Sequence, residues 1–145
     1  MGIMEIVVGL FLSICGYSDL KRREISLLIV GAFFVFGVIV QVIWVPLSPL
    51  EWIGGMAVGG GIFIAGAVTR EAIGYGDAWV IGVLGLFLGV FTVIELLLIA
   101  LTLSALMSAA LLLCRKIGRK TRLPFVPFLF VAYIIWIAME MKEVM

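Results

Sequence analysis

Six apolar runs divide the chain, at about residues 2–18, 26–45, 51–68, 78–93, 95–114 and 126–144. Between them lie DLKRREI, PLSPLEW, TREAIGYGD, a minimal turn near residues 91–95, and RKIGRKTRLPFVP. Runs of this length match the roughly 20 apolar residues that a helix needs to cross a bilayer. The pattern predicts an all-α integral membrane protein with about six transmembrane helices. Residues 78–114 contain one charged residue, Glu95, so the division into a fourth and a fifth span is the least constrained.

Composition strengthens this reading. The chain has 145 residues, of which 65% are hydrophobic and 13% charged, with a mean hydropathy of +1.34. Soluble domains carry about a quarter charged residues. Six spans of about 20 residues would use roughly 120, leaving roughly 25 for loops and ends. A single polytopic membrane domain over residues 1–145 is therefore expected, with no separate soluble domain. The first run begins at Ile3, carries Glu5 near its start and has its basic residues after it. A signal peptide has its basic residues first, so this run reads as a retained span.

The basic residues give an orientation. Lys21, Arg22, Arg23, Arg70, Arg115, Lys116, Arg119, Lys120 and Arg122 all fall in the first, third and fifth breaks, and only Lys142 lies elsewhere. The positive-inside rule then predicts that these three loops are cytoplasmic and that both termini are extracytoplasmic.

Some chemistry can be set aside. There is no histidine, which removes mechanisms that rest on a histidine base or metal ligand. Cys15 and Cys114 form no CxxC pair and read as small apolar residues. The glycines Gly55/Gly59 and Gly85/Gly89 stand at GxxxG spacing, which lets helix backbones approach closely, and the plain reading is a generic packing surface.

Two acids remain. Asp19 ends the first run and Asp77 begins the fourth, so both are expected at one membrane boundary and at similar depth. An ionisable group there is costly and is a functional candidate by default. Two carboxyls that can reach one another are the equipment of an aspartic protease. Asp77 closes Gly74-Tyr75-Gly76-Asp77, where the glycines allow non-helical backbone and a close approach by another chain. Asp19 sits in Ser18-Asp19-Leu20-Lys21-Arg22-Arg23-Glu24-Ile25, and its plainer reading is an ion pair within an interfacial basic cluster.

These residues resemble a known family. An aspartate followed by basic residues after the first span, with GxGD before the fourth, looks like the type IV prepilin peptidases, intramembrane aspartic proteases of the GxGD group. Leu123-Pro124-Phe125-Val126-Pro127-Phe128 is similar to the Pro-Phe-x-Pro-Phe stretch found in that family at the last span. The resemblance covers nearly the whole chain, with three motifs in the right order. It implies that Asp19 and Asp77 are the catalytic pair, that Gly74 and Gly76 shape the site, and that Pro124 and Pro127 support it. Two departures stand out: Ile25-Ser26 where many members have Ile-Pro, and Ala78-Trp79 where many have Val-Lys. The first loop is short and has no cysteine, so the resemblance is to the short, peptidase-only form without a methyltransferase domain.

The resemblance further implies an enzyme of the inner (cytoplasmic) membrane, acting at its cytoplasmic face on a pilin-like precursor with a short basic leader and an apolar helix. Peptide hydrolysis by two carboxyls needs no metal and no organic cofactor. The partners expected are that precursor and the lipid bilayer, with no nucleic acid, and a monomer suffices for a dyad made within one chain. Glu24 and Glu71 are candidate contacts for the basic leader, although solvated loop charge is the plainer reading. The alternatives are an archaeal-type preflagellin peptidase, a small proton- or ion-coupled transporter, and a non-catalytic scaffold of a secretion or pilus assembly. Against the transporter, both acids lie at one face rather than at the midplane, and no inverted repeat is visible.

Overall fold

The computed structural model describes residues 2–22, 24–44, 47–69, 75–115 and 123–145. Six helices follow one another: α1 (Ile3–Arg22), α2 (Leu27–Trp44), α3 (Pro49–Val68), α4 (Tyr75–Leu88), α5 (Val90–Leu113) and α6 (Val126–Val144). Four of them, α1, α2, α3 and α5, are long and apolar enough to cross a membrane, while α4 is a shorter apolar helix. The chain is all-helical where it is described, as the run pattern predicts.

α4 lies at the centre of the bundle. It packs on α3 most extensively, then on α2, α5 and α1, while α6 packs on α1 and α5. Val80, Ile81, Val83, Leu84, Leu86 and Phe87 of α4 are all buried. Around them lie Val8, Phe11 and Leu12 of α1, Val93 and Leu96 of α5, and Leu129 and Tyr133 of α6. Large apolar side chains such as Leu28, Leu50, Ile64 and Leu113 face outward, as suits a lipid environment. Between helices in lipid the hydrophobic effect contributes little, so close packing and hydrogen bonds hold the bundle.

The α3–α4 seam shows that packing. A Cβ added at Gly55 would run into the backbone of Gly85, and one at Gly59 would meet Gly82 Cα at 2.5 Å. The two backbones therefore touch with no side chain between them. α3 begins with a capping box, in which Ser48 Oγ accepts from the Glu51 N–H and Glu51 Oε2 accepts from the Ser48 N–H at 3.0 Å. Pro49 sits in the first turn, where its missing N–H costs nothing.

The structure corrects the expected turn between the fourth and fifth runs. The break falls at Gly89, not at residues 91–95, and α5 already begins at Val90. Gly89 has φ 85° and ψ 170°, a conformation open to glycine and costly for other residues. Its spacing from Gly85 suggested a packing surface, but its work is to end α4. Stopping the helix there also frees carbonyls at its end. Gln41 of α2, buried in an apolar helix, donates from Nε2 to the Leu86 carbonyl at 2.8 Å. α2 and α4 are thereby tied at the end of α4 opposite Asp77.

Candidate active site

The first acid is placed by helical spacing. Val8, Leu12, Cys15 and Asp19 recur at three to four residues and form the buried stripe of α1. Asp19, in the last turn, is only 7% exposed, so it is carried inward rather than into the basic cluster beside it. Lys21 and Arg22 point away, Lys21 lying against the Tyr17 ring at 5.5 Å from its centroid.

α6 meets that carboxylate with its first turn. The Val126 N–H donates to Asp19 Oδ2 at 3.2 Å. The first N–H groups of a helix have no partner within the helix, and its N-terminus carries partial positive charge. Pro127 follows in the first turn, lacking an N–H of its own. A Cβ added at Gly16 would lie 3.8 Å from Pro127 Cα, so α1 and the start of α6 are in close contact. Farther along the antiparallel pair, the Tyr133 hydroxyl donates to the Glu5 carbonyl at 2.8 Å.

Asp77 stands in the first turn of α4, ahead of the apolar stretch that starts at Ala78. Burial pushes its carboxyl up to about 6, and the charge of Asp19 pushes it in the same direction. The charge of Asp19 thus reaches Asp77 although 58 positions separate them in sequence. Gly76 is needed for the approach. The Ser18 hydroxyl donates to the Glu24 carbonyl at 2.9 Å and folds the chain back, and the Ile25 side chain then covers Gly76. A Cβ at Gly76 would meet Ile25 Cδ1 at 2.9 Å.

The residues singled out in the sequence fare as follows. Asp19, Gly76, Asp77 and Pro127 gather at one end of the bundle, and Pro124 lies half-buried in the approach to α6. Gly74 and Glu71 lie outside the described residues. Glu24 is exposed beside the site. Of the departures, Ala78 is buried against α3, whereas Trp79 is about half exposed and lies edge-on to Phe63 at 6.0 Å. A cavity of about 250 Å³ opens there between α2, α3 and α4, lined by Phe34, Phe63, Trp79 and the glycines Gly59, Gly60 and Gly82. At roughly 100° per residue, those α4 positions fall on the far side of the helix from Asp77. The cavity is therefore not the space between the acids.

Sequence reasoning missed two groups. Val126 contributes through its main chain, which no side-chain pattern reveals. Gln41 did leave a signal, a lone amide within an apolar run. Among the described residues no three of His, Cys, Asp or Glu gather as metal ligands would.

The arrangement offers two carboxyls at one end of the bundle, Asp19 buried and held by a helix N-terminus, Asp77 half-buried next to Gly76. Comparison with known proteins agrees with the sequence resemblance. No curated protein and no solved structure matches the chain. The model of the type IV leader peptidase family matches residues 6–113, which takes in both acids and stops short of α6. With well over half of its length matched, the chain belongs to the type IV leader peptidase family.

Proposed function

We propose that this leader peptidase is an intramembrane aspartic endopeptidase with Asp19 and Asp77 as its catalytic pair. It removes the short basic leader from type IV pilin-like precursors at the cytoplasmic face of the cell membrane. The observation that supports this best is the gathering of the two acids at one end of the bundle, Asp19 buried and Asp77 half-buried. Two such carboxyls share one proton and titrate as a pair. The ionised member takes a proton from water, and the resulting hydroxyl adds to the scissile carbonyl carbon. The protonated member gives its proton to the carbonyl oxygen. Collapse of the tetrahedral intermediate breaks the C–N bond: the carboxyl that took water's proton passes it to the leaving amine, and a hydroxyl of the intermediate returns a proton to the other carboxylate. One water is consumed and the dyad regains its starting charge.

Gly74 and Gly76 shape the entry, and Pro124 and Pro127 fix the start of α6 against Asp19. No methylating domain is proposed, so the trimmed precursor leaves with a free amino terminus. Co-expression of a pilin-like precursor with the unaltered chain, Asp19→Asn or Asp77→Asn tests the reading by gel mobility and N-terminal sequencing. Trimming is expected only with the unaltered chain. Trimming by both variants at equal membrane abundance overturns it.

A further inference from the structure

The two acids are not equivalent in their surroundings. Asp19 Oδ2 accepts the main-chain N–H of Val126, the first residue of α6. Asp77 accepts no hydrogen bond from a described residue and stands half-buried beside buried Ala78. A hydrogen-bond donor and the positive end of a helix both favour a charged carboxylate. Burial without such a donor favours the protonated form.

We propose that the N-terminus of α6 divides the labour of the dyad, holding the negative charge on Asp19 so that Asp77 carries the shared proton. Asp19 is then the general base that takes the proton from water, and Asp77 the general acid that protonates the scissile carbonyl. The Val126 N–H acts through Asp19 and is a positioning group, not a catalytic one. This rests on the function proposed above and deepens it.

Among the described residues, the other charged groups near Asp19 do not make this division. From α4 the facing group is Asp77 itself. On α1, Cys15 lies one turn back, while Lys21 and Arg22 are exposed beyond the helix end. Glu24, in the connection to α2, is exposed and bonded there through its main chain. α6 presents no titratable side chain before Tyr133. Burial works against charge at both acids, and only at Asp19 do main-chain N–H groups, those of Val126 and Phe125, oppose it.

The test removes one donor, and otherwise only weakens the Phe125 carbonyl as an acceptor for the Phe128 and Leu129 N–H groups. Nonsense suppression places the α-hydroxy analogue of valine at position 126, turning the N–H into an ester oxygen. Valine inserted by the same route is the reference. A second variant, Val126→Pro, deletes the same N–H but disfavours the helical conformation of Phe125 before it, so its helical circular dichroism is compared with that of the unaltered chain. The readout is the pH profile of precursor cleavage. Its acidic limb reports ionisation of the base, and its basic limb reports loss of the proton from the acid.

The proposal expects the acidic limb to move up by about one pH unit in both variants while the basic limb stays. An unmoved acidic limb, or a shift of the basic limb instead, overturns it. Infrared titration of the carboxyl bands, with the Asp19→Asn, Asp77→Asn double variant as blank, gives the same answer without substrate. The lower of the two steps should rise on ester substitution, and a rise in the upper step alone overturns the assignment. A failure of the unaltered chain to trim any precursor would instead count against the proposed function, and the infrared titration would still decide which acid holds the charge.

Discussion

Asp19 and Val126 are joined by a 3.2 Å hydrogen bond from main chain to carboxylate, across 107 positions of sequence. It ties the end of the first helix to the start of the last, and it sets one acid of the candidate dyad in a fixed direction. Asn at position 19 keeps an oxygen that can accept the same N–H, so Asp19→Asn should retain the fold. Cleavage should nevertheless fall at least about 100-fold in Asp19→Asn and in Asp77→Asn, the usual scale for a lost acid or base. Initial rates on purified protein and precursor in detergent check this.

Activity should decline above pH 6. Asp77 holds its proton up to about pH 6, and an acid that has lost its proton cannot protonate the scissile carbonyl. A profile that keeps rising through pH 8 would contradict the role given to Asp77.

Stability should follow the opposite course from that of a salt-bridged acid. The folded-state value of Asp77, about 6, lies above its ordinary 3.8. Between these values the unfolded chain binds fewer protons, so stability falls as pH rises through the window. The contribution is complete below about pH 4 and lost above about pH 6. Asp77→Asn, which cannot ionise, should therefore gain on the order of 1–3 kcal/mol over the unaltered protein at pH 7. The gain should vanish near pH 4, as followed by thermal unfolding in detergent.

The glycines should separate into three classes. Gly55→Ala and Gly85→Ala place a methyl where the partner backbone already lies, and should lower stability by about 1–3 kcal/mol or more. Gly89→Ala meets no close atom but must hold φ 85°, at about 1–3 kcal/mol. Gly60→Ala and Gly61→Ala meet nothing within 4 Å and should be neutral or stabilising by up to about 1 kcal/mol. Melting temperatures of the five variants check the order.

The helices and the placing of the acids at one end of the bundle were legible because apolar length and charge position are local properties. Asp19 and Asp77 each end or begin an apolar run, which any reading of the chain would notice. The turn at Gly89 was not legible, because spacing alone cannot distinguish a glycine chosen for packing from one chosen for a positive φ. Nor was the hold of α6 on Asp19, since a main-chain N–H is present at almost every position. Pro127 hinted at it by marking a first turn, where such groups are unpaired. Gln41 pointed to a polar contact inside the bundle without revealing its partner, the Leu86 carbonyl.

The glycine seam has one more consequence. With backbone against backbone, α3 and α4 can hardly slide past one another, whereas α1 and α4 touch only sparsely. Asp77 is therefore fixed to α3 through α4, and Asp19 to the start of α6. The distance between the two proposed catalytic acids depends on how these two helix pairs pack together. Such an enzyme can fall silent while every helix stays intact, so on gentle heating peptidase activity should disappear before helical circular dichroism does.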